Sequence, residues 1–178
     1  MKYWVLLIGV LAGCVSCGTG RDVSNVLDTA AGLMGDRPEQ ALSMLESLDV
    51  DELSSASGKA RYALLYTQAL DKNRVDVQSD SLIRLAVDYY DRRGSERERA
   101  LAHYYYGCVY ANLHDTDTAM ESLVEAESHA VKTDDSYLQG LIHSRIGNLY
   151  SDGYLLKEAL QRFERACACF RQAGSRRN

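Results

Sequence analysis

Beyond its first twenty residues the chain places apolar side chains at helical spacing almost to its end. Ala119, Leu123 and Ala126 fall at i, i+4 and i+7, and Ala159, Phe163 and Ala166 repeat the spacing. Such a stripe is the buried face of an amphipathic helix. Ala60, Tyr62, Ala63, Leu64 and Ala69 mark an earlier helix, and Leu82, Leu85, Ala86, Tyr89 and Tyr90 the next. Polar punctuation between the stripes predicts four helical hairpins. The first runs from about Asp22 to Leu48, with Pro38 in the first turn of its second helix, where a missing N–H costs nothing. The second spans about Ser55 to Arg93 across a polar loop that ends in the capping residues Ser79-Asp80-Ser81. The third covers residues 96–131 and turns at His114-Asp115-Thr116-Asp117. The fourth covers residues 135–173 and turns at Asp152-Gly153-Tyr154.

The last two hairpins share five residues in one spacing, G-x2-Y-x8-A-x3-[L/F]-x2-A. The copies are Gly107, Tyr110, Ala119, Leu123, Ala126 and Gly147, Tyr150, Ala159, Phe163, Ala166. The glycines and first alanines let two helices approach closely, and the tyrosines are expected to fill the space between them. This resembles the tetratricopeptide repeat (TPR), a helix-turn-helix that must stack on a neighbour to bury its apolar side. The implied fold is all-α, a TPR-like right-handed solenoid of about four hairpins. Residues 22–93 are then degenerate units, in which Ala41 and Leu45 match Ala119 and Leu123. The copies lie about 40 residues apart against about 34 in a standard unit. The extra length is assigned to Lys132-Thr133-Asp134-Asp135-Ser136.

The N-terminus reads differently. Met1-Lys2 precedes an apolar run from Tyr3 to Ala12, which is the layout of a secretory leader and too short for a lasting membrane span. Leu11-Ala12-Gly13-Cys14 resembles the lipobox of bacterial lipoproteins, in which the cysteine is lipidated after cleavage. Cys17 is the alternative attachment site. Residues 1–17 are thus a lipoprotein signal and attachment region, and 18–21 a tether. At the other end the last helix is expected to stop near Gln172. Residues 174–178 then form a tail, with Ala173-Gly174 turning toward a further unit and Tyr154, Phe163 and Phe170 on the exposed end.

Composition narrows the chemistry. A formal charge of −5, becoming −6 once Lys2 leaves with the leader, argues against nucleic acid as a partner. The four histidines lack i,i+4 pairing, so no metal site or cofactor is expected. Cys108, Cys167 and Cys169 read as small packing residues. Glu121 with Glu125, and Asp134 with Asp135, have no nucleophile, metal cluster or phosphate loop beside them, and the chain is not expected to be an enzyme.

A leader followed by Arg37–Asp49, Lys59–Asn73, Asp80–Gly94 and Ala102–Asp115 resembles the TPR lipoproteins of Bacteroidetes. That resemblance implies a lipid-anchored protein of the bacterial envelope, facing the periplasm, that binds a protein or peptide. Counting from the pattern glycines of the repeat, the groove candidates are Tyr104, Asn112, Arg145 and Asn148, with Tyr104 as an exposed aromatic contact; Arg145 and Asn148 read as solvated groove residues, with the holding of a peptide carboxylate as the alternative. An alternative is the sensory input fragment of a longer envelope regulator.

Overall fold

A side-chain oxygen begins three helices at intervals of 40 residues. Ser55 accepts from the Gly58 N–H, Ser95 from Glu98 and Asp135 from Leu138. Each satisfies one of the backbone donors a helix start leaves free. At Ser95 the Glu98 side chain reaches back to the Ser95 N–H and closes a capping box. The helices they open are α3 (Ala56–Lys72), α5 (Glu96–Asn112) and α7 (Ser136–Asp152), each 17 residues long. The computed structural model describes residues 19–175. Over these the chain is all-helical, with no strand among the described residues. The remaining helices are α1 (Thr19–Leu33), α2 (Pro38–Glu46), α4 (Ser81–Arg93), α6 (Thr116–Ala130) and α8 (Leu156–Ser175), and a 3₁₀ turn (Val50–Glu52) precedes α3.

The ends of α3, α5 and α7 also repeat. Arg74, His114 and Tyr154 each adopt left-handed backbone, with φ of 58°, 61° and 60°. In each turn the next N–H closes on a carbonyl five residues back: Val75 on Leu70 at 3.0 Å, Asp115 on Tyr110 at 3.0 Å, Leu155 on Tyr150 at 2.8 Å. This is the 6→1 closure that satisfies the orphan carbonyls of a helix C-terminus. The 40-residue period therefore extends to the second hairpin, although Thr67 and Leu70 stand there at the positions of the motif glycine and tyrosine. The extra length is made in two ways. In the second hairpin it sits in the loop between α3 and α4. In the third it sits in a longer even helix and in the junction at 131–135, close to where it was expected.

Several boundaries differ from the sequence reading. Residues 19–21, expected as tether, belong to the first turn of α1. Residues 173–175 continue α8 rather than turning; Gly174 meets nothing within 4 Å, so its missing side chain marks no close approach. The leader, Cys14, Cys17 and Gly18 lie outside the described residues, as do 176–178.

Consecutive helices pack antiparallel within hairpins and onto the next hairpin. The odd-numbered helices also touch one another, α1 on α3, α3 on α5 and α5 on α7, with no comparable even-to-even packing among the described residues. The odd helices are thus the closely spaced layer. One core cluster joins α3 to α7 around Tyr105, Ile83, Leu123, Ile142 and Ile146, and a second joins α1, α2 and α3 around Leu27, Ala30, Leu45 and Ala69.

The motif residues act in these contacts. A Cβ at Gly107 would lie 2.8 Å from Leu123 Cγ, and one at Gly147 would lie 2.6 Å from Phe163 Cε1. Real Cβ atoms avoid such separations, so both positions require glycine for close approach. Gly140 meets Phe170 in the same way, a pairing outside the motif. Phe163 and Phe170 are consequently half-buried against α7 rather than forming an exposed end, whereas Tyr154 is exposed. Ala119, Ala126, Ala159 and Ala166 are buried as expected. Cys108 is buried, but Cys167 is exposed and Cys169 half-buried, so only the first is a core packing residue; all three are free thiols.

Candidate interaction surface

Among the hairpins that keep the cap and left-handed turn, the 40-residue register breaks after α3. After its left-handed residue each of the last two hairpins restarts a helix within two positions, at Thr116 and Leu156. After Arg74 the chain stays non-helical until Ser81. Asp115 caps α6 by accepting from the Thr118 N–H, whereas Val75 and Leu155 at the equivalent positions offer no side-chain acceptor, so the cap alone does not set where α4 begins. The Val-Asp-Val-Gln-Ser run that follows is poor in helix formers. The next polar cluster takes over: Ser79 Oγ accepts from the Ser81 N–H, and Asp80 begins α4.

The displaced loop leaves a cleft of about 200 Å³ lined by Asp71, Arg74, Val75, Asp76, Asn112 and Arg145. Three odd helices contribute to it. At its base Arg145 of α7 donates to Asp71 Oδ1 of α3 at 2.8 Å, with both side chains about three-quarters buried. Arg145 also lies beside Tyr104 and Cys108 of α5. Burial pushes the Cys108 thiol up to about 12, so it is a neutral, unreactive packing group at physiological pH. Arg74 and Asp76 stand exposed at the rim.

The four groove candidates fare differently. Arg145 and Asn112 both line the cleft. Tyr104 is not an exposed contact: it is 5% accessible and packs edge-on against Tyr105. Three consecutive tyrosines point around a helix, and α5 is enclosed by α3, α4, α6 and α7, so only Tyr106 stays near the surface. Asn148 is exposed and does not line the cleft. Arg145 is turned toward Asp71 instead. Asp71, Arg74 and Asp76 escaped the sequence reading. The only signal for them was the length of the polar loop.

Tyr110 fills the interhelix space and adds a polar link. Its hydroxyl donates to Asp80 Oδ2 at 2.7 Å and lies 3.3 Å from that of Tyr106. Arg84 also pairs with Asp80. Together Tyr110 and Arg84 hold the Asp80 carboxyl below its usual range. Tyr150 is half-buried against the same core.

A second, larger and open cleft of about 390 Å³ is lined by Asp91, Arg99, His103, Glu125 and His129. His103 Nε2 is 2.8 Å from Asp91, and His129 Nδ1 is 2.6 Å from Glu96. Among the described residues no three His, Cys, Asp or Glu side chains converge on a metal-sized point, and no helix is long and apolar enough to cross a membrane.

No protein-family model matches this chain, and no curated protein matches it significantly.

Proposed function

We propose that the chain is a non-enzymatic, TPR-type scaffold of right-handed stacked hairpins. It is held at the bacterial envelope by a lipidated N-terminal cysteine and binds a protein segment in the cleft between α3, α5 and α7. The observation that carries this reading is the 40-residue repetition of cap, 17-residue helix and left-handed turn. Repeated hairpins of this kind bury a continuous core and leave an extended layer of side chains for recognition. The cleft presents charges of both signs and the Asn112 amide. That mixture suits an extended peptide, whose main chain offers donors and acceptors in alternation.

The test uses the full chain in bacterial membranes, with in-cell cross-linking and mass spectrometry. One dominant captured protein is expected, lost when the exposed rim residues are changed in Arg74→Glu and Asp76→Lys. Capture unaffected by these changes overturns the cleft as the binding site. Replacing Cys14 and Cys17 together by Ser is expected to move the protein to the soluble fraction, and retention in the membrane pellet overturns the lipid anchor.

A further inference from the structure

We propose that the exposed stripe of α8 is a self-association surface, on which a second copy of this chain packs its own α8 in antiparallel orientation. Tyr154, Leu156 and Leu160 are 88%, 66% and 59% exposed. Leu156, Leu160 and the exposed Cys167 follow i, i+4 and i+11, which is one helix face. Forty residues earlier the positions of Leu160 and Cys167 carry the chain's own packing, while His114 and Thr116, equivalent to Tyr154 and Leu156, are exposed. Met120, equivalent to Leu160, is partly buried in the core. Glu127, equivalent to Cys167, bonds to Arg162 of the next hairpin at 2.7 Å. This face of an even helix is therefore where a following helix docks, and on α8 it meets solvent.

The outer face of α1 does not suit it. That face presents Ser24, Asn25, Asp28 and Thr29, all exposed, and Asp28 is paired with Arg61. Head-to-tail stacking of copies would set polar groups on the apolar stripe. The α8 helix complements itself instead. The stripe from Tyr154 to Cys167 is centred between residues 160 and 161. Lys157 and Glu164 lie on one flank of it, seven residues apart and centred on the same point. Neither makes an ion pair among the described residues. A two-fold axis through that point sets each Lys157 opposite the partner copy's Glu164 and each Tyr154 over the Cys167 face, an isologous contact that closes at two copies. Tyr154 adds a second sign. The equivalent left-handed positions hold the polar residues Arg74 and His114, whereas this one holds a large exposed aromatic in the same costly conformation.

Sedimentation equilibrium of the full chain in detergent tests this. A reversible dimer is expected. Lys157→Glu and Glu164→Lys, each creating two like-charge contacts by symmetry, should weaken it by roughly tenfold. The double reversal should return to within about threefold of the original. Leu160→Glu should abolish the dimer with an unchanged helical melt, since Leu160 is outside the core. Near the axis, Leu160→Cys should form an intermolecular disulfide on mild oxidation. Native Cys167 pairs should not, being about 20 Å apart at 1.5 Å per residue. A monomer at every concentration shows that another segment or a different protein covers the face and overturns the proposal. So do a dimer that survives Leu160→Glu, a double reversal that fails to restore binding, and Cys167–Cys167 cross-linking.

Discussion

Arg145 and Asp71, 74 residues apart in sequence, meet at 2.8 Å and tie the last odd helix to the second hairpin across α5. Both are only partly accessible, so removing one leaves the other poorly solvated. Asp71→Ala is expected to cost about 1–3 kcal/mol in urea unfolding. Arg145→Met, which keeps the buried stem and removes the charge, should cost a similar amount alone and little more in the presence of Asp71→Ala. Fully additive losses would show that the two residues act independently.

Gly147 and Phe163 set the spacing of the last hairpin. With 2.6 Å available to a Cβ, Gly147→Ala must displace the ring and is expected to lower stability by about 1–3 kcal/mol. Phe163→Leu in the same molecule should recover part of that loss. Gly147→Leu should unfold the hairpin outright, seen as loss of helical ellipticity. An unchanged melting curve for that variant is incompatible with this packing.

His114 holds φ at 61° with its side chain exposed. A left-handed non-glycine residue costs about 1–2 kcal/mol. His114→Gly is therefore expected to stabilise the chain by about 0.5–1 kcal/mol, net of the entropy that glycine adds to the unfolded state. Arg74→Gly should do the same; a lowered melting temperature in both would contradict the turn geometry.

His143 carries a pH signature. Arg162 Nη1 donates to His143 Nδ1 at 3.2 Å, which needs a neutral ring, and burial lowers the histidine pKa from 6.5 despite nearby Glu127. Above pH 6.5 both folded and unfolded chains are neutral here. As pH falls below 6.5 the unfolded chain binds the proton first, so stability declines until the folded ring titrates. Asp80, Glu96 and Asp115 have lowered pKa values, chiefly through hydrogen bonds from Tyr110, His129 and Thr118 respectively. They contribute stability that is present above their ordinary values of 3.8 to 4.5 and lost below. The melting temperature should fall in two stages, and His143→Gln should flatten the first while leaving the second.

The hairpins and most of their buried stripes were legible because apolar spacing and capping residues are local signals; on α4 the stripe was misplaced in part, since Leu85 is exposed and Ile83 is buried in its stead. The two motif copies also disclosed the repeat, and they did so through close-approach glycines. Other features depended on what lies across the fold. The second hairpin hid its membership because Thr67 and Leu70 replace the motif residues, while its cap and turn are kept by Ser55 and Arg74. Gly153 looks like the turn residue of the fourth hairpin, yet the left-handed conformation falls on Tyr154. On α5 the three tyrosines offered no single apolar face, because helices cover it on several sides. Tyr104 therefore read as exposed when it is core. The Asp71–Arg145 pair left no trace at the spacing a local pattern can sense.

The shared period of α3, α5 and α7 has a consequence for how such a chain can change length. A cut from residue 95 to 134 would join Gly94 to Asp135, so one capping oxygen takes the place of another and α7 follows α4 as α5 did. Every later core position keeps its angle around the helix axis. A cut of 39 or 41 residues made inside a helix would rotate all that follows by about 100° and turn the alanine stripe outward. Growth and loss by whole hairpins are therefore compatible with this architecture, whereas a one-residue step inside a helix is not.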